Sequence, residues 1–183
     1  MKRRKELNIS DEELDALKAA CKTYSDQLLI YGLLYSGMRI DELCHLKASW
    51  IDLQNETIKI PEQDGNWHPK TVRGHTASRV IPVLNNQLLQ LLQPVVDRGA
   101  ALNMNPHQAW RRLNQLWKKC GYTDSISPHI LRHACLTRMA NANYAITDIA
   151  AQAGHKNTNT TLNTYIHPNA INLIRAVKEK GGI

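Results

Sequence analysis

The amino-acid sequence predicts a mainly α-helical domain that carries a small antiparallel β-sheet, an α+β fold. Two observations on the residues point there. Helix-opening signals recur on both sides of the chain, each followed by apolar residues at three- and four-residue spacing, and three short runs rich in β-branched residues fall together near the middle. A chain of 183 residues is long enough for one domain with a substantial core and too short for two large ones.

Ser10 followed by Glu13 is a capping box that opens DEELDALKAACK. Residues 26–36 read as a second, mostly buried helix, with a short helix near 40–47 behind it. WIDL, TIKI and SRVIPV are the three strands, with Gln54-Asn55-Glu56 turning between the first two. Between the second and third strands runs PEQDGNWHPKTVRGHTA, a long polar connection of the kind that often carries function. Beyond the sheet, Asn85 precedes a Leu-rich helix, Asn105-Pro106 opens HQAWRRLNQLWKKC, Ser127-Pro128 opens another helix, and Gly154 stops ITDIAAQA. Trp110, Leu113 and Trp117 share a helical stripe, and that spacing favours core over base stacking. In SPHILRH, residues 127–133, His129, Arg132 and His133 lie on one face with Leu131, Ala134 and Cys135 opposite. The apolar side is expected to pack and the polar side to stay available.

Lys and Arg total 23 against 16 Asp and Glu, a net charge of +7, which suits a polyanionic partner such as nucleic acid. Cys21, Cys44, Cys120 and Cys135 show no C-x-x-C spacing, and Met1 is followed by KRRKE without an apolar stretch. Reduced thiols and a cytoplasmic location are therefore expected. LLIYGLLYSGM at 28–38 is too short to cross a bilayer, so no membrane role is implied.

Several chemistries are disfavoured. Gly32 and Gly37 have the spacing of a phosphate loop but run on into Met38-Arg39 instead of Lys and Ser/Thr. His129 and His133 have the i, i+4 spacing of a zinc helix without its glutamate or a cysteine pair. No carboxylate cluster suits Mg²⁺, and no cofactor or metal is expected. Cys135 beside His133 reads as a buried structural thiol, because neighbours in a helix point in different directions.

What remains is YSGMRIDEL (35–43), the PKT at 69–71, SPHILRH (127–133) and AGHKNTNTTLNTY (153–165). In this order these segments resemble the catalytic domain of the tyrosine recombinases, or phage-type integrases, with their "tGlRisEl", strand-connection lysine, "HxLRH" and "GH…TT…Y" motifs. The resemblance runs from about Ser10 to His167. It implies the DNA breaking-rejoining catalytic-domain fold and a site-specific recombinase or integrase that works through a covalent 3′-phosphotyrosine. Arg39 and Arg132 would hold the scissile phosphate, His129 and His155 assist, Lys70 act as the acid and Tyr165 as the nucleophile. Double-stranded DNA is the implied partner, with protomers associating on it as a tetramer in the synaptic complex, in the cytoplasm of a prokaryotic or virus-infected cell. Two other readings are relaxation of supercoils by the same cleavage step, and a noncatalytic DNA-binding module.

The chemistry wants such a set. Negative charge building on nonbridging oxygens is matched by two guanidinium forks. A tyrosine hydroxyl with a pKa near 10 needs a base or strong positive potential, which imidazoles can provide. Lys59, Arg73 and His75 are alternatives to Lys70, and Tyr144 and Tyr122 to Tyr165. Taken singly, Arg39 could instead pair with Asp41 or Glu42, and His129 and His155 could cap helices. Glu42 is expected to support the Arg39 segment, and His133 to lie behind His129. The whole chain, 1–183, is expected to be one catalytic domain lacking the N-terminal DNA-binding domain of family members. The segment 166–183, with Ile171, Leu173, Ile174 and Val177, would be a tail that docks on a neighbouring protomer.

Overall fold

A computed structural model of the chain describes residues 8–70, 78–155 and Thr161. Among the described residues the named elements follow one another as α1 (Asp11–Ala20), α2 (Tyr24–Ser36), α3 (Ile40–Cys44), β1 (Ile51–Asp52), β2 (Thr57–Ile60), β3 (Arg79–Pro82), α4 (Asn86–Arg98), α5 (Pro106–Lys119), α6 (Pro128–Asn141) and α7 (Ile146–Ala153). The helix starts follow the capping residues. Ser10 and Glu13 close a reciprocal capping box on α1, Asn105 and Gln108 do the same on α5, and Asn85 accepts from the Leu88 N–H at 3.0 Å. Ser127 occupies the cap position of α6, but its side chain makes no capping bond there, and Pro128 alone presets the first turn.

The sheet runs β1-β2-β3, antiparallel throughout, with Ile58 opposite Ile51 on one side and Ile81 on the other. Asp52 accepts from both the backbone and side-chain nitrogens of Asn55, which closes the β1–β2 turn. The connection after β2 folds over its first half: Asp64 and Trp67 bridge, and Trp67 stacks on His45 with centroids 5.1 Å apart and tilts on Trp50 at 4.9 Å. Trp67 also donates to Asp41 at 2.8 Å, and Trp50 to Asp64 at 2.6 Å.

α2 is the hub, in contact with α1, α3, α4, α5 and α6. It has no polar face to spare, since Leu28, Leu29, Ile30, Leu33 and Leu34 are all buried. Gly32 lets Leu43 press against this helix: a Cβ there would meet Leu43 Cδ1 at 2.7 Å. Two expectations need correction. Trp117 and Leu113 are fully buried, but Trp110 is 38% exposed, because the inward stripe of α5 runs through Ala109, Leu113, Leu116 and Trp117 and leaves position 110 at its edge. Nor does α6 keep a free polar face. Arg132 and His133 are buried along with Leu131, Ala134 and Cys135, since α2 and α7 pack on the helix, and of the three polar residues His129, Arg132 and His133 only His129 is exposed.

Candidate active site

Arg132 is the centre of the site. Arg132 is 3% exposed, so its guanidinium needs oxygen partners, and two come from distant turns: it donates to the Gly37 and Ala153 carbonyls. Both carbonyls lie at helix ends where the chain turns into a left-handed glycine, Gly37 (φ 64°) after α2 and Gly154 (φ 62°) after α7. The residues that leave those turns are Met38-Arg39 and His155, so one buried arginine fixes where Arg39 and His155 start. Gln152 adds a second tie between the same helix ends, donating to the Ser36 carbonyl at 2.7 Å.

Arg39 is held by Glu42, as expected: Glu42 accepts from the Arg39 backbone N–H at 2.7 Å and from its guanidinium at 2.9 Å. Glu42 is 1% exposed. Burial alone would push its carboxyl up, but hydrogen bonds and charge from Arg79, with those of Arg39, outweigh this and hold it below the ordinary value, so it stays ionised. Arg79, on β3, is the residue that the sequence reading missed. Its guanidinium grips both Glu42 oxygens at 2.8 Å, and its Nε donates to the Gln152 carbonyl at 2.9 Å. A signal existed, because strand alternation puts Arg79 on the same side as buried Ile81 and Val83, and an arginine on a core face demands a buried carboxylate.

His155 follows Gly154, with Nδ1 3.0 Å from the Thr161 hydroxyl. Desolvation, then the charges of Arg132, Arg39, Arg79 and His129, press its pKa down to about 4, so at neutral pH it is a neutral imidazole. His129 is shifted downward for the same kinds of reason: desolvation first, then Arg132 and Arg39. The structure therefore gathers Arg39, His129, Arg132 and His155 within reach of one another's charge. His133 lies behind this group, buried, with its Nδ1 3.2 Å from the Thr137 hydroxyl. Lys70 is exposed just past buried Pro69, at the end of the segment that Trp67 anchors. Tyr165, the terminal KRRK and the tail 166–183 lie outside the described residues. Cys135 is sealed in the core, and burial pushes its thiol up to about 12, so it is no nucleophile.

The arrangement brings two guanidiniums and two imidazoles, both with lowered pKa, within electrostatic reach of one another. That set can hold a phosphodiester and move a proton.

Residues 8–171 match the model of the phage integrase family. The integrase of Staphylococcus phage L54a is 28% identical over 174 residues, covering 79% of this chain and 49% of that protein. Tyrosine recombinase XerC of Bacillus pumilus is 31% identical over 147 residues, covering 75% of this chain and 48% of the relative. Among solved structures, XerA recombinase superposes with a TM-score of 0.71 at 24% identity, covering 96% of this chain and 64% of that one. The Tn1549 transposon integrase, solved in complex with a circular intermediate DNA, gives a TM-score of 0.69 at 24% identity over 94% of this chain and 65% of that one. The chain spans about half the length of the curated relatives it matches.

Proposed function

The chain belongs to the phage integrase family, and from that premise we propose that it cleaves and rejoins DNA strands at specific sites as a tyrosine recombinase. The observation that carries this is the Arg132 tie, in which one buried guanidinium bonds the turns that lead into Arg39 and His155. Arg39 and Arg132 take the nonbridging oxygens of the scissile phosphate and meet the charge that builds there. The Tyr165 oxygen attacks phosphorus and loses its proton to a neutral imidazole of His155 or His129. The bond from phosphorus to the 5′ oxygen breaks, and Lys70 protonates that oxygen. The product is a 3′-phosphotyrosyl link that stores the energy of the broken bond, and attack by a 5′ hydroxyl from a second strand reverses the step.

Double-stranded DNA is the partner in this reading, with residues 1–183 as one catalytic domain and four protomers assembled around two sites. The tail 166–183 would dock on a neighbouring protomer, and the work would be done in the cytoplasm of a prokaryotic or virus-infected cell. The net charge of +7 supports the polyanionic partner. None of the described helices is long and apolar enough to cross a membrane.

The test uses a radiolabelled nicked duplex, taken from DNA that the chain protects in footprints of the flanks of its own coding sequence. The nick lets the cleaved strand diffuse away, so the protein–DNA adduct accumulates. The chain should form the adduct, and Tyr165→Phe should bind the duplex and form none. An adduct that persists in Tyr165→Phe would move the nucleophile to another residue, with Tyr144 and Tyr122 next to be examined by mass spectrometry of the trapped peptide. Binding without any adduct from the unaltered chain would leave a DNA-binding module in place of an enzyme.

A further inference from the structure

Glu42 is one buried carboxylate shared between two guanidiniums. Its Oε1 accepts from Arg39 at 2.9 Å and from Arg79 at 2.8 Å, and its Oε2 accepts from the Arg39 backbone N–H at 2.7 Å and from Arg79 at 2.8 Å. The two arginines differ in setting: the Arg79 side chain is 6% exposed and that of Arg39 is 21% exposed, so Arg79 is spent inside the protein while Arg39 reaches the surface of the site. With Glu42 alone as its partner, Arg39 would be neutralised by a full carboxylate. With Arg79 present the three groups together keep a net positive charge, and both Glu42 oxygens are already taken up by Arg79. Arg39 is thereby kept from swinging into a fork-to-fork pair with Glu42.

The third Arg79 bond, to the Gln152 carbonyl, joins this group to the turn that launches His155. Gly154 is cut to fit it. A Cβ there would sit 3.0 Å from Arg79 Cδ and 3.1 Å from its Nη1, so the backbone passes directly under the Arg79 side chain. Arg79 is also nine residues beyond Lys70, at the point where the polar connection re-enters the sheet.

We propose that Arg79 is a positioning residue for the strand-cleavage reaction. By engaging the buried Glu42 carboxylate it keeps the Arg39 charge directed at the scissile phosphate, and by its Gln152 bond it fixes Arg39 relative to His155. The proposal rests on the cleavage reading above. Arg79 does not touch DNA; it acts through Arg39.

Single-turnover adduct formation on the nicked duplex tests it, with two versions of the substrate: one with an ordinary scissile phosphodiester and one with a neutral methylphosphonate at that position. Arg79→Met should slow adduct formation about a hundredfold on the phosphodiester, the scale expected when a charge-stabilising group is misplaced by about 1 Å. On the methylphosphonate, which asks for less positive charge, the ratio of unaltered to variant rate should fall below about tenfold. Duplex affinity should stay within about threefold, since phosphate contacts elsewhere dominate binding. The double variant Glu42→Gln/Arg79→Met removes both buried charges and restores fold stability if the single variant melts. It should recover part of the lost rate, because no carboxylate is left to neutralise Arg39. Equal losses on both substrates, or a double variant no faster than Arg79→Met, would mean that Arg79 only braces the fold and would overturn the proposal. Absence of any adduct from the unaltered chain would instead overturn the cleavage reading on which it rests.

Discussion

Acidification from pH 7 to pH 5 should cost this protein stability, and His155 should account for the largest share. A histidine whose folded pKa lies below its unfolded value favours the folded state only while it is neutral. In the unfolded chain it takes up a proton near pH 6.5, and in the folded chain not until about pH 4. Between those limits the unfolded state binds more protons, so stability rises with pH; it is fully present above about 6.5 and lost as pH falls toward 4. At pH 5 the unscreened linkage is about 2 kcal/mol. His155 is only half-buried, and solvent screening cuts this to on the order of 1 kcal/mol. His129 and His133 are displaced in the same direction and add to the slope. The carboxylates held down by partners, such as Asp26 and Glu42, keep their charge through this window and contribute below it.

The assay is urea unfolding at half-unit pH steps for the unaltered chain and for His155→Gln, with the His155 ring titrated by NMR. His155→Gln should flatten the dependence between pH 7 and 5. A His155 resonance that titrates at or above 6.5, or a stability that climbs on acidification, would refute the claim that the site keeps this imidazole neutral.

Arg112→Met should destabilise the fold by about 3 kcal/mol in urea titrations, because it strands Asp26, which is 1% exposed and gripped by Arg112 at 2.6 and 2.8 Å. Trp117→Ala should cost about 4 kcal/mol by the same measure, losing a fully buried indole that stacks on Tyr122 at 4.0 Å and donates to Asp124. Trp67→Ala should leave the melting temperature within a few degrees yet raise hydrogen exchange across residues 61–70 and slow adduct formation about tenfold, by loosening the segment that presents Lys70. If about six phosphates are contacted, duplex affinity should fall on the order of a thousandfold between 50 and 200 mM salt, and a flat response would remove nucleic acid as the principal partner.

Local signals in the sequence located the elements well. Ser10, Asn85 and Asn105 cap the helices they precede, and TIKI and RVIP pair as the β-branched runs suggest. Such signals work because capping and alternation are decided within a few residues. Burial of charge is decided elsewhere. Arg132 looked like a surface residue because its partners, the carbonyls of Gly37 and Ala153, lie 95 and 21 positions away. Arg79 escaped notice for the same reason, since Glu42 is 37 positions distant. The motifs named Arg39, His129, Arg132 and His155 as a group, and the structure places them within one another's electrostatic reach; the network that holds them there joins motif residues such as Gly37, Glu42 and Ala153 to Arg79 and Gln152, which lie outside the motifs.

The span of those ties bears on the order in which the molecule is made. Arg132 waits for Ala153, Gln152 must find Ser36 across 116 residues, and Arg79 must find Gln152 across 73. Contacts far apart in the chain carry a larger loop-closure cost than local ones. A polypeptide that ends before α7 contains Arg39, Arg79 and Arg132 but lacks the Gln152 and Ala153 carbonyls that accept from two of them, and lacks the His155 imidazole. On the recombinase reading proposed above, a shortened copy would carry its arginines without the partners that fix them, and the centre would be assembled only once α7 is in place.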